Sequence, residues 1–130
     1  MGFLKRLKDS QRSDIPESWT PISKIADLNQ VDQASQEKPV MLFKHSVTCG
    51  ISSGAKYRLE SDWENLSLDL PCFYLDLLSH RDVSNAIAER YKVVHQSPQI
   101  LIISGGKSIY DTSHHNISVG DINSVVERLA

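Results

Sequence analysis

Val40-Met41-Leu42-Phe43, a continuous apolar run behind Pro39, restricts the fold more than any other stretch of the chain. A run without polar interruption suits a strand buried on both faces, as in a parallel sheet covered by helices. Two more such runs follow, Pro71-Cys72-Phe73-Tyr74-Leu75-Asp76-Leu77 and Pro98-Gln99-Ile100-Leu101-Ile102-Ile103. The stretches between them carry helical periodicity. Ile22, Ile25, Leu28 and Val31 recur every three residues from Pro21 to Ala34. From Cys49 to about Asn65, Ile51, Ala55, Leu59 and Trp63 form a stripe at steps of four. Val83, Ile87 and Tyr91 repeat that spacing, and Gly120 to Leu129 reads as a closing helix. Gly105-Gly106 marks a hairpin turn, with a returning strand over Lys107 to Asp111. Strands and helices that alternate first and then end in a hairpin predict an α/β domain, a mixed sheet with helices on both faces.

The 130 residues suffice for one such domain, and 40% of them are hydrophobic. We read residues 1–20 as a helical or irregular lead-in and 21–130 as a single domain, with Trp19 and Ile22 folding back onto it. The formal net charge of −2 argues against a nucleic-acid partner. No apolar stretch approaches a membrane span. The N-terminal Met1-Gly2-Phe3-Leu4-Lys5-Arg6-Leu7-Lys8 is basic without an apolar core behind it, so it does not read as a secretory signal. Arg6 stands where a myristoylation signal would carry Ser or Thr. A cytoplasmic protein with reduced thiols is the expectation.

There are two cysteines. Cys72 lies inside an apolar strand and reads as core packing. Cys49 lies where the first long strand turns into a helix. Unpaired N–H groups and the helix dipole there stabilise a thiolate, the nucleophile of disulfide exchange. Thr48 is a candidate N-cap. Lys44 and His45, just upstream, are expected to add positive charge, and Ser52 to donate its hydroxyl to the Cys49 sulfur across one turn. No cysteine occupies the resolving position of this Cys-x-x-Ser sequence. Two cysteines without histidines at ligand spacing predict no metal site. Ser97-Pro98 stands directly before the third buried strand, where proline cannot donate to the ladder. His95 is weighed between an approach to Cys49 and an ordinary surface role, and His114 and His115 read as surface residues. Asp76 and Asp82 read as a strand-end and a helix-start residue. Arg81 is left between a cap, a partner for Asp76 and a contact for an anionic substrate.

The segments Leu42-Phe43-Lys44-His45-Ser46-Val47-Thr48-Cys49-Gly50-Ile51-Ser52, Tyr74-Leu75-Asp76-Leu77, His80-Arg81-Asp82-Val83-Ser84-Asn85-Ala86-Ile87-Ala88 and His95-Gln96-Ser97-Pro98-Gln99 together resemble the monothiol bacilliredoxins, thioredoxin-like proteins of the bacillithiol system. The resemblance covers residues 18–129. It implies a thioredoxin-like fold with a central mixed four-stranded sheet flanked by helices and an N-terminal helical extension. It implies a thiol-disulfide oxidoreductase that removes bacillithiol from S-thiolated client proteins, with Cys49 as nucleophile. Ser97 and a cis Pro98 would face the substrate. Bacillithiol would be the co-substrate, a second thiol or a reductase would restore Cys49, and no tightly bound cofactor would be needed. Gly50 stands where a common form of the family motif, Thr-Cys-Pro-Ile-Ser, has proline, which loosens the first helical turn. Cys49-Gly50-Ile51-Ser52 thereby also resembles the Cys-Gly-Phe-Ser motif of monothiol glutaredoxins, which carry a bridging [2Fe-2S] cluster. A non-enzymatic thioredoxin-like adaptor is the third reading.

Overall fold

The computed structural model describes residues 18–46, 50–66 and 69–129, with the side chain of Ile51 also outside that set. The elements run β1 (Trp19–Pro21), α1 (Asp27–Ser35), β2 (Val40–His45), α2 (Gly50–Asp62), β3 (Cys72–Asp76), α3 (Arg81–Tyr91), β4 (Gln99–Ser104), β5 (Lys107–Ser113) and α4 (Val119–Leu129), with single 3-10 turns at Trp63–Asn65 and His114–Asn116. They build one five-stranded sheet in the order β1-β3-β2-β4-β5. β1, β3 and β2 are mutually parallel, whereas β4 and β5 run antiparallel to their neighbours.

The long apolar runs are central strands because both of their faces are covered. On one face Met41, Phe43, Cys72, Tyr74, Ile100 and Ile102 pack against Ala55 and Leu59 of α2 and Ile122 and Val126 of α4. On the other, Val40, Leu42, Phe73, Leu75, Leu101 and Ile103 pack against Leu28 and Val31 of α1 and Val83 and Ile87 of α3. The residues divide between the faces by the period-two alternation of a pleated strand.

The expected four-stranded sheet gains a fifth strand. Trp19–Pro21 pairs with Cys72–Tyr74, and the Ile22 N–H continues the ladder to the Tyr74 carbonyl at 2.9 Å. Pro21, read from sequence as the start of a helix, sits instead in this edge strand, where a missing N–H is tolerated. The helix begins later, at Asp27, whose carboxylate accepts the Ser23 and Lys24 N–H groups and closes a preceding turn. Ile25 consequently falls off the buried stripe and is exposed. Trp19 and Ile22 do fold onto the domain, and both are buried. The expectations for residues 1–17, including the N-terminal helical extension, lie outside the described residues.

At the far end, Gly105 and Gly106 take φ of 60° and 77°, the pair of left-handed conformations that a tight hairpin demands. The Gly105 N–H reaches the Ser35 carbonyl at 2.8 Å, and the Gly106 N–H reaches Ser35 Oγ at 2.9 Å. The end of α1 therefore grips the β4–β5 turn.

Candidate functional site

The site is assembled where β2 ends, α2 begins and the segment before β4 arrives. Val47, Thr48 and Cys49 lie outside the described residues, so the N-cap reading of Thr48 and the placement of the Cys49 thiol are not described. Their flanks are.

His45, the last residue of β2, points to the α2 face. Its buried ring lies 5.7 Å from that of Phe43 and 5.8 Å from that of Tyr74. Its Nδ1 is 2.7 Å from Ser52 Oγ. Ser52, fully buried in the first turn of α2, also accepts the Ser46 N–H at 2.9 Å. A serine hydroxyl holds one proton. It was expected to donate to the Cys49 sulfur, but His45 competes for the same proton. The histidine tautomer therefore decides where the hydroxyl can point.

Lys44 and His45 were expected to act together, and the structure separates them. One residue back along a pleated strand reverses the face, so Lys44 enters the α3 side, beside Leu42 and opposite Leu75. It is completely buried, and its Nζ lies 2.8 Å from His95 Nδ1. An ammonium has no lone pair, so Lys44 donates and the His95 proton sits on Nε2. Burial pushes the Lys44 amine down to about 8. Burial, followed by the charges of Lys44 and Arg81, holds His95 below the ordinary histidine range. Ser84 Oγ stands 3.3 Å from the same His95 nitrogen. His95 is exposed at the surface, as one of its two readings had it, and there it is the partner of Lys44.

The Ser97–Pro98 peptide bond is cis. Ser97 Oγ is buried without a hydrogen-bond partner among the described residues. The Pro98 carbonyl accepts the His114 N–H at 3.0 Å. The carbonyls of His114 and Ile117 in turn receive Arg58 of α2, at 3.1 and 3.2 Å. Sequence reasoning missed Gln99 and Ser84. Gln99 is buried, donates to the Val94 carbonyl at 3.0 Å and accepts the Gln96 N–H at 3.4 Å. The signals were present: an amide opens an otherwise apolar strand, and Ser84 shares the spacing of Ile87 and Tyr91 on a buried stripe.

Asp76 accepts from the Leu78 N–H and the Ser79 hydroxyl, closing the turn after β3, and Asp82 is the second residue of α3. Arg81 pairs with no carboxylate among the described residues. Cys72 is 1% exposed in the α2-side core, and burial pushes its thiol well above the ordinary value. Gly50 opens α2 with no atom within 4 Å of the place a Cβ would take. Nothing in this packing demands glycine there. Among the described residues no cluster of three potential metal ligands occurs, and no helix is long and apolar enough to cross a membrane.

Solved structures share this architecture. A candidate oxidoreductase with a thioredoxin fold is 30% identical, covers 85% of this chain and 94% of its own, and superposes with a TM-score of 0.72. Thioredoxin from Fasciola hepatica (15% identity, 84% and 97% coverage, TM-score 0.63) and oxidised mitochondrial thioredoxin 3 from Saccharomyces cerevisiae (14%, 85% and 95%, 0.63) share the fold. The family model for the monothiol bacilliredoxin BrxC matches residues 20–122. A thioredoxin-like sheet, a Cys-x-x-Ser sequence after its central strand and this match over most of the chain place the protein in the monothiol bacilliredoxin family.

Proposed function

We propose that this protein removes bacillithiol from mixed disulfides on client proteins, using Cys49 as its single nucleophilic thiol. Family and fold support a thiol redox function. The observation that carries the monothiol reading is the state of the positions a second thiol could occupy. Ser52, at the resolving position, is buried and bonded to His45 and Ser46. Cys72, the other cysteine, is sealed in the core with its thiolate disfavoured. Exchange chemistry at an accessible, ionised sulfur then falls to Cys49.

In this reaction the Cys49 thiolate attacks the bacillithiol sulfur of the mixed disulfide. A Cys49–bacillithiol S–S bond forms, the client's S–S bond breaks, and the client sulfur leaves with the electron pair and takes up a proton. A second thiolate, from another bacillithiol or a reductase, attacks the adduct. It forms the new disulfide and returns Cys49 as thiolate. The reduced thiols of a cytoplasm are the fitting setting.

Intact-protein mass spectrometry after mixing the reduced protein with a bacillithiol-modified protein tests this. One bacillithiol adduct on this chain, matched by loss from the client, is expected. Cys49→Ser should form none, and Cys72→Ala should keep most of the activity. Failure of a reduced, accessible Cys49 to take up the adduct overturns the reading. The Cys49-Gly50-Ile51-Ser52 sequence favours one competitor, a [2Fe-2S] carrier, which visible absorbance after anaerobic purification would reveal.

A further inference from the structure

Lys44 is an expensive residue to bury. It is 0% exposed, and among the described residues no carboxylate pairs with it. Its neighbours on the same face, Leu42 and Leu75, show that an apolar side chain suits the environment. A buried cation without a counter-ion opposes folding, so packing alone does not account for it. What the ammonium does hold is His95, at 2.8 Å.

His95 belongs to the stretch between α3 and β4 that delivers Ser97 and Pro98. This stretch has no regular hydrogen-bonded structure, and its Val94 side chain is 80% exposed. Val93 packs against the α3-side core, and polar ties hold the exposed residues that follow it. Gln99 faces Lys44 across the β2–β4 pair, on the same side of the sheet, and holds the Val94 carbonyl and the Gln96 N–H. Lys44 holds the residue between them. Two buried polar side chains from adjacent strands thus grip three successive residues.

We propose that the Lys44–His95 hydrogen bond is a latch that fixes the segment carrying Ser97 and Pro98 for substrate docking, making Lys44 and His95 positioning residues rather than sources of charge at the thiol. This rests on the function proposed above. The latch requires an unprotonated His95 Nδ1. Protonation would set two cations against one another, with the Arg81 charge of α3 adding to the repulsion. Ser84 of α3, Leu75 of β3 and Gln99 of β4 bring no charge to the contact. The latch therefore opens on the acid side. On the alkaline side a neutral Lys44 amine still donates.

The test combines steady-state kinetics on a bacillithiol-modified protein, Cys49 alkylation against pH, and amide hydrogen exchange. Lys44→Met and His95→Leu should raise KM about tenfold, the loss of one hydrogen bond, with kcat little changed. They should leave the alkylation profile of Cys49 in place and speed exchange over residues 93–97. His95→Asn, which keeps an acceptor near the Nδ1 position, should restore KM and remove its rise in acid. Unchanged KM in both disrupting variants overturns the latch. So does a shifted Cys49 alkylation profile in Lys44→Met, which would make Lys44 a charge at the thiol. A wild-type protein that fails to de-thiolate overturns the parent reading instead. Exchange over residues 93–97 then judges the latch, and unchanged protection in the variants overturns it.

Discussion

His45 and Lys44 are chain neighbours, both buried and both tied to a polar side chain, yet they serve opposite faces of the sheet. His45 closes a local contact, to Ser52 seven residues on, and so ties the end of β2 to the first turn of α2. Lys44 closes a distant one, to His95 fifty-one residues on, and so fixes the segment that leads to Pro98. The α2 face joins the end of β2 to α2, and the α3 face joins it to the segment before β4. One residue step along a pleated strand is enough to divide the two tasks.

The comparison is sharpened most by Lys44→Met. Raising the amine from about 8 to its ordinary 10.5 corresponds to about 3 kcal/mol of burial penalty at neutral pH. Losing the bond to His95 offsets about 1 kcal/mol. The variant should therefore be more stable at pH 7 by about 2 kcal/mol in denaturant unfolding, while docking suffers. The sign follows from linkage. The folded state disfavours the charged amine, so the unfolded chain binds the extra proton between about 8 and 10.5. Wild-type stability should rise with pH through that window, and the variant's should not. A less stable variant with the same pH slope would show that the α3 face gains more from its lysine than it loses.

Ser52→Ala probes the other face. It leaves the Ser46 N–H without its acceptor in a buried site and removes the His45 contact, which should cost about 2 kcal/mol in thermal or denaturant unfolding. A variant of wild-type stability would mean that the turn before α2 does not depend on this network. Smallest of the three is Gly50→Ala. The open Cβ position and the helical setting predict a gain of about 0.5 kcal/mol. A loss would show that the first turn of α2 needs a freedom its packing does not reveal.

The contrast also explains what could be read from the chain. The central strands were legible because burial on both faces leaves an unbroken apolar run. The same lack of interruption hides parity. Nothing in Val40-Met41-Leu42-Phe43 says which residue faces which helix, so although the pleat sets Lys44 and His45 on opposite faces, which of them would meet α2 was not visible. β1 escaped notice because it is a three-residue edge strand ending in Pro21, whose partner lies about fifty residues away. Local signals found the cis Ser97-Pro98 step. The His95 contact is non-local, and local periodicity carries no information about it. Cys72 was legible for the opposite reason, since its apolar neighbours already state its burial.

The sheet's borders carry a further consequence. Among the described residues one border is β1, three residues long and closed by a proline; the other is β5, whose side chains alternate between solvent and partial cover, with Ile109 exposed between the charges of Lys107 and Asp111. Short, charged or proline-bearing margins discourage a foreign strand from adding to a sheet. A long, flat, apolar margin would be open to such pairing with any protein it meets. The short, proline-closed margin at β1 limits that capture.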